Sequence, residues 1–560
     1  MFGETQVHEF FARHLEGWEI YQQPHVNGRI PDIAVLNPKS GLGIFEVKDW
    51  NLTSAHWRTY RDAVHQAQQY RNLFKRLFSA RYNDSIDFPV TVGLIFTRAS
   101  NAEVQDYFSG FLDGSPYTTV SGRECLEGGD IDRIFPLSSQ RQPLELTEDA
   151  ANDLRSWLIE PHHSWEFRQP LDDDPAQRQF VRNPGQIKLR RMRGSAGAGK
   201  SVTLVRRAAK VAAEGKDVLF VCYNNSLIRY LKDVCDRTAE AHSQQIEWRS
   251  FYRYCRHVSR QLGVEDAYLQ LADNKQWDDE IPTLILRSLE AAPRPIRKFH
   301  AIFVDEGQDF NLSWWNVLRS ALRDDGEMMI AFDTAQQIYP RTDWNAETLP
   351  GAGFTGRWIE LNASRRLPNR MLRILRSFAQ DYHPKALDSL PGEKSEDDEP
   401  CDVRWVQVRP QDRLETCVKE LVRIIQRDPV PVSRAMTDLT LLCDLKEDCL
   451  KAEALLAEHG IAVTNAVAGD DAKERKLKQD FTMRAPRMKV CTFHSYKGWQ
   501  SRLIVLSVAK FSDADRSAAL FYTMLTRLKK HPQGSSLTIV SAAPRLKSFG
   551  AKFEDFEDRT

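Results

Sequence analysis

The chain has 560 residues, too many for one ordinary core, so two to four domains are expected. Its 77 Lys and Arg residues equal its 77 Asp and Glu residues, which excludes a histone-like binder held by bulk charge and leaves nucleic-acid contact to local basic patches. The opening MFGETQVHEFF lacks a basic stretch followed by an apolar one, no run could span a bilayer, and the nine cysteines form no C-x-x-C, so the expectation is a soluble cytoplasmic protein with reduced thiols and no membrane contact.

Composition shifts divide the chain into residues 1–168, 169–350 and 351–560. In the first segment, RIPDIAVL carries Asp32 and GIFEVKDW carries Glu46 and Lys48, two strand-like runs joined by turn residues 37–41. Residues two apart on a strand share a face, so Glu46 and Lys48 point the same way, and Asp32 joins them if the runs pair as a hairpin. Two carboxylates (Asp32 and Glu46 as metal ligands) and a lysine at a strand end can bind Mg²⁺, activate water and steady a phosphorane-like transition state. A salt-bridged surface hairpin is the rival. The pattern resembles the PD-(D/E)XK nucleases and, more narrowly, the nuclease-related domain called NERD. That resemblance implies a first helix from GETQVHEFF with Glu4 as a candidate acid, and a glutamine of HQAQQY at Gln66, with Gln68 the alternative.

After the acidic linker QPLDDDPAQ, apolar runs recur as VLFVCY, AIFVDE and MMIAFD in the second segment and LTLLCD, MKVCTF and LIVLSV in the third. Such runs between helical patterns predict parallel sheets covered on both faces, an α/β class. The run RGSAGAGKS matches G-x-x-x-x-G-K-[ST]. Gly194, Gly197 and Gly199 let backbone N–H groups turn toward phosphates, Lys200 reaches the β/γ oxygens and Ser201 holds Mg²⁺. AIFVDEGQD puts Asp305 and Glu306 at the carboxyl end of a buried strand, where one acid can hold the metal through water and the other polarise the attacking water.

With these motifs in place, the chain resembles a superfamily 1 helicase of the UvrD/Rep type, whose second motif reads DExQD. The resemblance implies two RecA-like motor domains, with Gln177 of DPAQRQFV near the adenine, Asp333 and Gln336 of FDTAQQIY sensing the γ-phosphate and Tyr339 stacking on the base. LNASRRLP supplies Arg366 as an arginine finger, with Arg365 the alternate. TFHSYKGWQ matches from Thr492 through His494, Lys497 and Gly498, and FYTMLTRLKK makes Arg527 the second finger. Gln500 and Val202 depart from the family, and the spaces for its accessory insertions are short, which leaves strand separation less supported than ATPase and translocation. WRSFYRYCR interleaves arginines with aromatics as single-strand grooves do, and an amphipathic helix burying Trp248, Phe251 and Tyr252 fits the run equally.

Joined, the resemblances imply a Mg²⁺-dependent nuclease fused to an ATP-driven DNA motor, acting on single-stranded or tailed duplex DNA, as bacterial nuclease–helicase immunity proteins that attack phage DNA do. A repair helicase whose first domain only grips DNA, and an ATP-gated binding switch, are the alternatives. A protein partner or a second copy stays open.

Overall fold

Short apolar runs become the strands of three sheets, and alternate residues of each strand feed two different cores. The structure, a computed structural model, describes residues 2–24, 31–49, 51–52, 67–68, 70–71, 89–109, 117–139, 148–158, 175–182, 188–224, 227–238, 243–291, 296–338, 352–354, 358–361, 364, 366–391, 400–427, 438–461, 463–470, 473–474, 477–478, 481, 487–512, 514–532 and 534–560. It divides into two compact units, Met1–Ser164 with Arg484–Pro486, and Trp165–Met483 with Arg487–Thr560.

The first unit holds a five-stranded sheet in the order β1 (Glu19–Gln22), β2 (Ile33–Asn37), β3 (Gly41–Lys48), β4 (Val90–Phe96) and β5 (Thr118–Ser121). The first three strands are antiparallel and the last three parallel. Along β3, Leu42 and Ile44 enter one apolar cluster and Phe45 and Val47 the other, the period of two expected of a strand buried on both faces.

The second unit holds two wholly parallel sheets. One has six strands, β6 (Leu189–Gly194), β7 (Val218–Cys222), β8 (Ile246–Ser250), β9 (Phe299–Val304), β10 (Leu322–Phe332) and β11 (Ile359–Leu361), in the order β11-β6-β10-β9-β7-β8. The other has seven, β12 (Cys401–Val408), β13 (Leu439–Cys443), β14 (Val463–Asn465), β15 (Met488–Thr492), β16 (Leu503–Val508), β17 (Ser535–Ser541) and β18 (Asp555–Arg559), in the order β14-β15-β13-β16-β17-β12-β18. The alternation recurs: Leu219 and Val221 face one core while Val218, Phe220 and Cys222 face another. Parallel strands need crossovers, and the helices that supply them cover both faces.

Each sheet with its helices is a lobe. Because β11 pairs with β6, the first lobe reaches past residue 350. Three helices, Phe251–Leu262, Glu265–Asp273 and Glu280–Ala291, fill the connection from β8 to β9. All nine cysteines are buried and none forms a disulfide. Among the described residues no helix is long and apolar enough to cross a membrane.

Candidate active sites

The loop between β6 and the helix Lys200–Ala213 is shaped by two left-handed residues, Gly197 at φ +78° and Gly199 at φ +87°. Any other residue would be strained there, and a Cβ on Gly199 would lie 2.3 Å from Gln177 Nε2. Gly194 ends β6 so close to Leu361 that a Cβ would meet its carbonyl oxygen at 2.5 Å. Lys200 curls back over the loop, donating to the carbonyls of Gly194 at 2.7 Å and Ser195 at 3.0 Å and to Asp333 Oδ2 at 3.0 Å. The first turn of the helix turns N–H groups and the positive end of its dipole toward the same loop.

Asp305 and Glu306 follow β9. Burial and the neighbouring Glu306 charge push Asp305 up to about 7, while the nearby Ser201 hydroxyl works the other way. Glu306 takes the left-handed conformation, φ +56°, which costs a non-glycine residue about 1–3 kcal/mol and recurs at functional sites. Burial alone would raise its carboxyl, but Lys497, Arg527 and Lys200 outweigh burial and hold it below the ordinary glutamate value. Gln308 donates to Glu306 at 2.5 Å and accepts from the Asp333 N–H at 3.0 Å, which fixes both strand ends.

The second lobe reaches into this site. Lys497 is 5% exposed and donates to both Asp309 oxygens, at 2.8 and 2.7 Å, and to the Gln336 carbonyl at 3.0 Å; its ammonium lies 3.7 Å from Glu306. Arg527, 2% exposed, donates to Gln336 Oε1 at 2.6 Å, and Gln336 Nε2 donates to Asp333 at 2.8 Å. A continuous chain therefore runs Lys200, Asp333, Gln336, Arg527 from one lobe to the other. Asn224 adds hydrogen bonds to the Ser495 and Lys497 carbonyls. Gly498, at φ +90°, approaches Leu227 so closely that a Cβ would lie 2.7 Å from Leu227 Cδ1.

Arg366 sits on the segment that leaves β11 for the helix Asn369–Tyr382, at the junction of the lobes rather than within the second sheet. Its Cβ would be 2.8 Å from a Cβ on Gly197, and its carbonyl accepts from Lys530 N–H at 2.7 Å. Burial and the Arg527 charge lower its guanidinium to about 9. Among the described residues, Arg366 Nε, the Ser195 hydroxyl and Asp305 Oδ2 are buried without a hydrogen-bond partner. Orphaned donors and acceptors around a glycine loop, with a lysine and two arginines, fit a nucleotide's phosphates and a divalent cation.

In the first unit the hairpin brings Asp32, Glu46 and Lys48 together. Lys48 Nζ donates to Glu46 Oε2 at 2.7 Å, and Asp32 Oδ2 accepts from Val47 N–H at 2.7 Å. Burial, then the Glu46 charge, push Asp32 up to about 6, with Glu4 adding to the rise and Lys48 opposing it. Glu4 accepts from Gln23 Nε2 at 2.9 Å. Among the described residues no group of three or more His, Cys, Asp and Glu side chains is arranged to hold a metal ion. Two carboxylates still suit Mg²⁺, which keeps several waters of its own.

Gln66, Tyr339 and Arg365 lie outside the described residues, and Gln68 is an exposed helical residue. The aromatic run Trp248 to Arg256 is used in packing. Trp248 stacks on Phe220 at 4.8 Å, Phe251 on Trp314 at 4.3 Å, and Tyr252 Oη donates to Asp278 at 2.7 Å. Of the two readings of that run, burial within the first lobe is the one these contacts favour. Asp309, which closes the DEGQD run, and Asn224 bond to partners 188 and 271 positions away, pairings that no local pattern could show.

No family model matches the chain, and no curated protein matches it. Among solved structures it is similar to S. cerevisiae Dbp5 bound to RNA and ADP BeF3, at 11% identity and a TM-score of 0.38, over 74% of this chain and 93% of that one. A likeness that loose carries no functional weight.

Proposed function

We propose that the second unit is an ATP-hydrolysing nucleic-acid motor of the UvrD-like superfamily 1 type. The observation that carries this reading is the chain from Lys200 through Asp333 and Gln336 to Arg527, which ties the phosphate loop of one lobe to an arginine of the other. Lys200 and Arg366 would neutralise the transferring phosphoryl group, Ser201 and Asp305 would hold Mg²⁺, and Glu306, kept ionised by Lys497, would orient the attacking water. Lys200 turning from Asp333 to phosphate oxygens loosens Asp333 and, through Gln336, Arg527, so that hydrolysis and lobe closure are linked. Lys200→Ala and Glu306→Gln should each lower ATP turnover by about 10²-fold or more, with Glu306→Gln still binding ATP. Near wild-type turnover in both folded variants would refute the motor.

For the first unit we infer a Mg²⁺-dependent DNA nuclease, supported by the convergence of Asp32, Glu46 and Lys48. The pairing of such a unit with a motor favours degradation of foreign DNA over repair, and a cytoplasmic setting. Mg²⁺-dependent cleavage of defined duplex, tailed and forked DNA, lost in Glu46→Ala, tests it. Binding without cleavage would favour the gripping domain.

A further inference from the structure

Beneath the nucleotide site lies a buried cluster that the motor reading leaves unused. Arg190 of β6 and Arg207 of the helix Lys200–Ala213 share one carboxylate, Glu327 of β10. Arg207 donates to it from Nε at 2.9 Å and Nη2 at 2.6 Å, and Arg190 from Nη2. The remaining Nη1 arms of both arginines go to the same place, while Arg190 Nε is buried without a hydrogen-bond partner among the described residues. Arg207 Nη1 donates to the Val181 carbonyl at 3.0 Å and Arg190 Nη1 to the Phe180 carbonyl at 3.4 Å.

Those carbonyls belong to the last turn of the helix Pro175–Arg182, where backbone oxygens lack partners within the helix. Two guanidinium groups against one carboxylate leave one positive charge, and it meets the negative end of the helix dipole. The cluster therefore fixes the helix along its axis. At its other end the helix carries Gln177, whose amide lies against Gly199 and whose Oε1 accepts from Arg206 at 3.3 Å. A primary amide presents a donor beside an acceptor, the complement of the adenine N6 and N7 edge, whereas guanine offers two acceptors there. Hydrogen bonds tolerate displacements of only a few tenths of an ångström.

We propose that Arg190, Glu327 and Arg207 are positioning residues that hold the Gln177 helix in register with the phosphate loop and so set the preference for adenine nucleotides. The inference rests on the reading of that loop as an ATP site. The test is steady-state hydrolysis of ATP and GTP by the full chain with single-stranded DNA, for wild type, Gln177→Ala, Arg207→Lys and Glu327→Gln. Lysine at 207 keeps the charge on Glu327 but loses the arm to Val181, so it stands in if Glu327→Gln, which leaves two buried cations, fails to fold. In Gln177→Ala and Arg207→Lys the ATP-over-GTP ratio of kcat/KM should fall about tenfold, the loss of one bidentate base contact. In Arg207→Lys the change should come through KM for ATP, with kcat kept within about twofold. A loss in Gln177→Ala that Arg207→Lys does not share, or an equal fall for both nucleotides in Arg207→Lys, would overturn the clamp and leave the ATPase reading standing. Failure of the wild type to bind or hydrolyse any nucleotide would overturn both.

Discussion

Gln336 is the smallest part on which the proposed motor depends, because its amide bonds Asp333 on one side and Arg527 on the other. Replacing it with leucine leaves a buried carboxylate and a buried guanidinium each short of a partner, a penalty of about 1–3 kcal/mol. If that falls on the closed, hydrolysing state, turnover in the presence of nucleic acid drops roughly 5- to 150-fold. Nucleotide affinity should change only a few-fold, which titration with a fluorescent ATP analogue would check. A turnover loss matched by an equal affinity loss would place Gln336 in ground-state binding instead. The phosphate loop, Asp305, Glu306, Gln336 and Arg527 were visible in the sequence because phosphate chemistry restricts residue type and spacing. Glu327 and the role of Asp309 as partner of Lys497 were not, since Lys497, Arg190 and Arg207 are brought to these carboxylates only by the fold.

At the scale of elements, the strands of the second unit read from the sequence were its apolar runs. The runs at 218, 301, 439, 488 and 503 all lie in central strands. β6 escaped, since LRRMRG is half arginine; Arg190 is neutralised by Glu327, and Arg191 and Arg193 lie over the Trp358 ring at 4.6 and 5.4 Å. The start of β10, LRDDGE, escaped for the same reason. Two predictions belong here. Gly498→Ala adds a Cβ against Leu227 and forces alanine to φ +90°, worth about 1–2 kcal/mol in backbone strain alone; turnover should fall, and Leu227→Ala in the same chain should recover part of it. No recovery would mean that backbone strain, not lobe contact, is at fault. The second concerns Lys489, fully buried in β15, where burial drives its ammonium down to about 7 against the pull of Asp438. The unfolded chain, with an ordinary lysine near 10.4, binds more protons between those values, so this residue makes stability rise with pH across about 7 to 10. Below pH 7 the full cost of charging it is present. Lys489→Met should be more stable at pH 7, by about 1–4 kcal/mol, and should lose that rise; denaturation midpoints at pH 7 and 9 decide it, and an unchanged pH slope would contradict the assignment.

Over the whole molecule, the two candidate sites lie in separate compact units. Perturbations at Asp32, Glu46 or Lys48 should therefore leave ATP turnover within about twofold of wild type, as expected for sites without shared partners. Lys200→Ala should still cut an exposed strand yet process long duplex poorly, visible as a shifted product-length series. Unchanged fragments from Glu46→Ala would remove the nuclease from the account. The central claim is that two lobes assemble one hydrolytic site and that nucleic acid controls the assembly. Its most direct test is the ATP hydrolysis rate of wild type and Arg527→Ala with and without single-stranded DNA. Stimulation of the wild type by tenfold or more, lost in Arg527→Ala while ATP affinity stays within a few-fold, is the predicted result. A wild-type rate indifferent to single-stranded, tailed and duplex DNA and to RNA would contradict it and point to an ATP-gated switch.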